Sequence, residues 1–205
     1  MNAVEIARSF CASVIFSKAP VSWRRFSGDQ LGATAVEFAL VSLPFLMLFV
    51  SIIQISLVYW VGQNLDDALQ KGARTLYTGS FQKDNKAQKN TSSLLSNLRT
   101  KICAGGVAFD CNNLKVDVAV SSNFSGGSIP TPVDASTGTW SSGFGERYTC
   151  AQPGAVVIIT AAVKYPVALT FLNAGANAFG DGSRLIQSTV VMRAEPYDVS
   201  SGSPC

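Results

Sequence analysis

One carboxylate, Glu37, stands at the mouth of the longest uncharged run in the chain, five positions after Gly32 and directly before Phe38. A charge at bilayer depth costs on the order of 2.5–3.5 kcal/mol on insertion scales. An acid there either takes a cationic partner or rests in the headgroup layer, where it costs little. The second chemically capable group is thiol: Cys103, Cys111, Cys150 and Cys205 are an even set, with Cys11 far upstream. Four cysteines allow three pairings. Cys103 with Cys111 closes a short loop, and Cys150 with Cys205 staples a long loop to the tail, so this pairing is expected. A metal site is disfavoured, because the chain has no histidine and no Cys-x-x-Cys spacing. Without histidine there is also no Ser-His-Asp or Cys-His nucleophile and no imidazole proton shuttle. Asp134-Ala135-Ser136-Thr137-Gly138 begins like an Asp-x-Ser-x-Ser metal-ion motif but ends on glycine, and is expected to be a loop. Asp110, Asp117, Glu146 and Glu195 are expected to be solvated surface acids. The net charge of +3 is too small and scattered to argue for nucleic acid. No catalytic residue and no cofactor are expected.

The elements that position these residues follow from hydropathy. Of the 205 residues, 47% are hydrophobic and 14% charged, which excludes disorder as the dominant state. Phe38 to Trp60 is 23 residues without a charge. At the helical rise this covers about 34 Å, enough for a hydrocarbon core of about 30 Å. It reads as a transmembrane helix that tolerates Pro44 and ends on the interfacial pair Tyr59-Trp60. Before it lie Arg8, Lys18, Arg24 and Arg25 against Glu5 and Asp29; after it come Asp66 and Asp67. The positive-inside rule places the N-terminus in the cytoplasm and the C-terminal part outside. The four downstream cysteines then lie on the oxidising side.

Beyond the membrane, Val58, Val61, Leu65, Ala68, Leu69, Gly72, Ala73 and Leu76 recur at three- and four-residue steps, predicting a stem helix with one apolar face. Gln82–Asn90 is polar and aperiodic, a linker or solvated face. Thr91 or Ser92 is expected to cap a short helix presenting Leu94, Leu95, Leu98 and Ile102. Leu114–Val120 alternates as a half-buried strand. Ser121–Pro153 reads as an extended surface loop with Trp140, Phe144 and Tyr148 as anchors. Ala155–Tyr165 and Ser183–Ala194 read as strands, and Val167–Phe179 as a short helix or an apolar loop near the membrane surface. The expected fold class is α+β: a long N-terminal transmembrane helix continuing into a small external domain with a mainly antiparallel sheet. The expected organisation is a leader over 1–32, a transmembrane and stem helix over 33–81, and an external disulfide-bearing domain over 82–205.

The junction Gly32-Ala33-Thr34-Ala35-Val36-Glu37-Phe38-Ala39-Leu40, followed by Pro44, resembles the processing site of type IV pilin-like proteins, and most closely the TadE-like family of the tight-adherence (Tad) pilus system. Arg193-Ala194-Glu195-Pro196-Tyr197 is similar to the C-terminal Arg-x-Glu-Pro-Tyr ending of that family. The leader is long, and Leu31 stands where a basic residue usually precedes the glycine. The resemblance implies a minor pilin or pseudopilin that is not an enzyme. It implies cleavage by a prepilin peptidase between Gly32 and Ala33, with Glu37 and Phe38 as fifth and sixth mature residues. The implied partners are that peptidase, other pilin-like subunits, the Tad assembly platform and membrane lipid. The implied location is the bacterial inner membrane, single-pass, with the C-terminal domain periplasmic or extracellular. The alternative is a bitopic protein whose external domain binds a ligand or hydrolyses a substrate unrelated to pili.

Overall fold

The computed structural model describes residues 32–168 and 179–197. Its elements are helices α1 (Ala33–Tyr77), α2 (Ser80–Asp84) and α3 (Thr91–Cys103), and strands β1 (Leu114–Ser121), β2 (Val133–Asp134), β3 (Thr139–Trp140), β4 (Val156–Tyr165) and β5 (Arg184–Arg193). The chain divides into two compact units, 1–48 and 49–205.

The described part of the first unit is the start of α1. Its long side chains face outward: Phe38 is 74% exposed, and Leu40, Val41, Phe45 and Leu46 are exposed as well. None of the described residues buries the most apolar window of α1, whose mean hydropathy is 2.4. A core helix of a water-soluble domain would be covered, so length, composition and exposure together fit a membrane span. Pro44 lies inside the helix, and the Ser42 hydroxyl donates to the Ala39 carbonyl at 3.2 Å.

In the second unit the later turns of α1 do what their spacing predicts. Val61, Leu65, Ala68, Leu69, Ala73 and Leu76 are buried together with Leu94, Leu95, Leu98 and Ile102 of α3. They pack against Leu114, Val116 and Val118 of β1 and Val157, Ile159, Ala161 and Val163 of β4. Each fully buried side chain of this kind contributes about 1.5–3 kcal/mol. Gly72 lets the helices approach, since a Cβ there would lie 2.4 Å from Ile102 Cγ1. The sheet is antiparallel in the order β1-β4-β5, with Val116 opposite Ala161 and Ala161 opposite Ser188. As the central strand, β4 is buried on both faces, which is why its sequence is a continuous apolar run. Its second face is covered by the 121–153 segment: Gly127 sits over Ile158, and Trp140 stacks on Phe144 at 5.9 Å and meets Phe179 edge-on at 4.9 Å.

The architecture is the α+β arrangement expected, and several details differ from expectation. The stem helix ends at Tyr77 rather than 81, because Gly79 at φ 71° turns the chain. The polar stretch after it is no linker: Gln82 and Asn85 are buried, the Asn85 amide donating to the Phe81 carbonyl at 2.8 Å and accepting from Asn97 at 2.6 Å. Buried polar groups paired in this way leave no hydrophobic signature. The cap of α3 is Asn90, which accepts from the Ser92 amide, rather than Thr91 or Ser92. The 121–153 segment is mostly exposed and is anchored by Trp140, Phe144 and Tyr148 as expected, but it also contains the β2–β3 hairpin and buried Val133. Residues 169–178, within the segment read as helix or apolar loop, lie outside the described residues, as do the leader, Cys11 and Cys205.

Candidate functional site

The amino-terminal group is set by where the helix begins. Gly32 lies in the turn before α1, and its carbonyl accepts from the Val36 amide at 3.2 Å. Ala33 is the first helical residue, Glu37 follows one turn later and is exposed, and Phe38 is beside it on the surface. Residues four apart share a helix face, so a charge carried by Ala33 and the Glu37 carboxylate would be neighbours.

The carboxy-terminal group closes over the end of the stem. Arg193 Nε donates to the Gly154 carbonyl at 2.9 Å, and the Glu195 amide donates to the Tyr77 carbonyl at 3.1 Å. This satisfies one of the carbonyls that every helix end leaves free. The Glu195 carboxylate, hydrogen-bonded to the Tyr77 hydroxyl, raises the pKa of that phenol. The Tyr197 ring lies over Gly79, where a Cβ would come within 2.5 Å of it, and its hydroxyl donates to the Ala151 carbonyl. Burial raises the Tyr197 pKa, and that of Tyr148 further. Arg193, Glu195 and Tyr197 are thereby brought together with Tyr77, Gly79 and Ala151, three residues that sequence reasoning had not assigned to the motif. The positive φ of Gly79 has no sequence signal beyond the glycine itself.

Cys103 and Cys111 are joined by a disulfide across a separation of eight residues. The loop that this bond closes returns to the stem, where the Ala108 amide donates to Asn64 Oδ1 at 2.7 Å. Cys150 is also disulfide-bonded. Among the described residues no group of three or more His, Cys, Asp or Glu is placed to hold a metal ion. Asp134 instead accepts from the Ser136 hydroxyl at 2.7 Å and its amide at 2.8 Å, a turn that holds the carboxyl below its ordinary range. Asp117, expected at the surface, is 1% exposed and ion-paired with Arg147 at 2.7 Å. The Arg147 amide also donates to it, at 3.2 Å. A buried carboxylate needs such donors, and Arg147 lies 30 residues away in the chain, so spacing gave no hint of the pair.

Residues 32–74 match the family model described as TadE-like protein. The match begins at the glycine of the junction and ends within the stem helix, spanning the apolar run. No curated protein and no solved structure matches the chain. Among the described residues one helix is long and apolar enough to cross a membrane, and the TadE-like match lies over its membrane-length part, which fits a membrane anchor.

Proposed function

We propose that this chain is a minor pilin or pseudopilin of the Tad pilus system that acts by assembly and carries out no catalysis. The observation that carries this reading is the TadE-like match over 32–74, which starts on Gly32 and encloses Glu37 and the apolar run. A prepilin peptidase cuts between Gly32 and Ala33 and leaves a cationic amine at the start of α1. That amine sits at the positive end of the helix dipole, where a carboxylate one turn away is favourable. Glu37 pairs with the amine of a neighbouring subunit, which fixes the register as helices pack in the membrane, and Phe38 lies at the packing surface. The leader stays in the cytoplasm, the span crosses the inner membrane, and the α+β domain stands on the outer side, stapled by Cys103–Cys111 and by Cys150–Cys205. The other pilin-like subunits and the Tad assembly platform are its partners. The Arg193-Glu195-Pro196-Tyr197 clasp holds the end of the stem against the external domain.

Intact-mass analysis of membrane-extracted protein, from cells with and without the cognate prepilin peptidase, tests the reading. The expected result is a chain beginning at Ala33 that is lost when the peptidase is deleted. A chain still beginning at Met1 in both strains overturns it and leaves a signal-anchored external domain with a function of its own.

A further inference from the structure

The second unit is in register with its own stem, and that register fixes how close the sheet comes to the membrane. Gly62 lies against Ile186, where an added Cβ would be 3.8 Å from Ile186 Cγ2. The Ser188 hydroxyl donates to Asp66 Oδ1 at 2.7 Å, and the Glu195 amide donates to the Tyr77 carbonyl. Strand β5 therefore runs alongside the stem in the same direction. Going back two residues from Ile186 to Arg184 descends about 7 Å along a strand. The same descent is about four residues of helix, from Gly62 to Val58. Val58 and Tyr165 both pack at the edge of the core, as this level requires. Tyr59 and Trp60, the aromatic residues that end the apolar run, lie at the same height and are 69% and 59% exposed.

Arg184 pairs across the sheet with Tyr165, so the chain leaving β4 through Pro166 and Val167 goes lower still. Arg184, Pro166 and Ala168 are exposed, and Tyr165 and Val167 are half-buried. The sequence carries no charge from Tyr165 to Gly180. Two other groups at this end carry charge and are held within the domain. Lys164 is paired with Asp181 at 2.6 Å, and Asp110 turns its carboxylate back to the Asn112 amide and the Asn113 side chain, each at 2.9 Å. Among the described residues no acid pairs with Arg184. The result is a guanidinium that has no acid partner among the described residues, beside Tyr165 and the uncharged residues Pro166–Ala168, at the height of an interfacial aromatic pair. Arg takes phosphate through its planar fork, and Tyr favours the headgroup layer.

We propose that this end of the sheet is a second contact with the bilayer, in which Arg184 takes a lipid phosphate and Tyr165, Pro166 and Val167 lie in the headgroup layer. The contact would restrain the domain against tilting on its stem. It rests on Phe38–Trp60 being a membrane span and is independent of any role in a pilus.

The test uses the full chain in nanodiscs containing anionic lipid, with a fluorescent amino acid incorporated at Val167, at Ser125 near the opposite end of the sheet, or at Phe49 in mid-span. Doxyl lipids labelled at headgroup level and at mid-chain serve as quenchers. The Val167 probe is expected to be quenched by the headgroup-level label and the Ser125 probe to remain unquenched. Arg184→Glu should weaken lipid contact at 167 by at least about fivefold, the weight of losing one cation at an anionic surface, before the repulsion of the added carboxylate. Arg184→Lys should retain most of the contact. Equal behaviour of the probes at 167 and 125, with Phe49 quenched by the mid-chain label, overturns the contact while leaving the span intact. Loss of quenching at Phe49 overturns the span itself. A Val167 probe shielded from both lipid label and aqueous iodide shows a protein covering the edge and overturns the lipid assignment. Unchanged quenching in Arg184→Glu removes Arg184 from it.

Discussion

Substituting Glu37 separates entry into the membrane from assembly, because the two depend on different properties of one residue. Insertion depends on the summed apolarity of the span, which Glu37→Ala can only increase. In the proposed function, assembly depends on an ion pair of Glu37 whose disruption in low-dielectric surroundings costs of order 3–5 kcal/mol. Glu37→Ala is expected to remain in the membrane fraction at wild-type abundance while sheared pili fall by at least an order of magnitude; normal piliation would remove Glu37 from the assembly mechanism. A second residue-level expectation concerns acid. The Lys164 ammonium hydrogen-bonded to Asp181 holds that carboxyl below its ordinary value of 3.8. A depressed folded-state value means the contribution is full above pH 3.8 and lost as pH falls through the depressed value. Carbon-detected NMR should find Asp181 titrating below 3.8 in the wild type and returning toward 3.8 in Lys164→Ala. An unshifted Asp181 in the wild type would show that the pair is broken in solution.

At the level of elements, the clasp at the end of the stem makes a specific demand on Gly79. Its φ of 71° costs a side-chain-bearing residue about 1–2 kcal/mol, and an added Cβ would also displace the Tyr197 ring. Gly79→Ala should therefore lower stability by about 1–3 kcal/mol in denaturant titration and open the chain after Glu195 to proteolysis. Tyr197→Ala should reproduce the protease sensitivity, and the double variant should lose less than the sum of the two; strict additivity would mean that Gly79 and Tyr197 do not act together. Elements with one dominant period were legible in the sequence. The stem face from Val61 to Leu76, the four apolar positions of α3 and the alternation of β1 each declare one buried side. What could not be read is where burial is polar or shared. Asn85 is buried through hydrogen bonds, Gln82 is buried with its amide nitrogen 3.5 Å from the Ala151 carbonyl, and Asp117 is buried through an arginine 30 residues away. In the 121–153 segment the anchoring aromatic residues were legible, but the β2–β3 hairpin was not, because its two-residue strands are set among serine and glycine, a composition whose average is that of a loop. In the C-terminal motif the residues were legible, but the glycine and tyrosine of the stem that receive them were not, because a contact across more than 100 residues leaves no local pattern.

For the molecule as a whole, topology and redox state are a single question, since the domain's cysteines can be oxidised only outside the cytoplasm. The bond between Cys103 and Cys111 closes a short loop at the end of α3, and that loop is hydrogen-bonded to Asn64, a few residues beyond the apolar run. A loop of this length restricts the unfolded chain by about 2.5 kcal/mol. Because α3 enters the domain core and the loop touches the stem, the bond ties the domain to the helix that anchors it. The proposed N-in orientation predicts opposite fates for two classes of cysteine in intact cells. Cys11 should be alkylated by a membrane-permeant reagent in unprocessed protein, whereas Cys103 and Cys111 should resist until reductant is added. The double variant Cys103→Ser/Cys111→Ser should then lose about 2–3 kcal/mol of stability, with faster amide exchange at Ala108 as the loop leaves Asn64. Ready alkylation of Cys103 in untreated cells would place the domain in the reducing compartment and reverse the orientation. Resistance to alkylation with no stability loss in the double variant would keep the orientation and show that the loop is held by its packing alone.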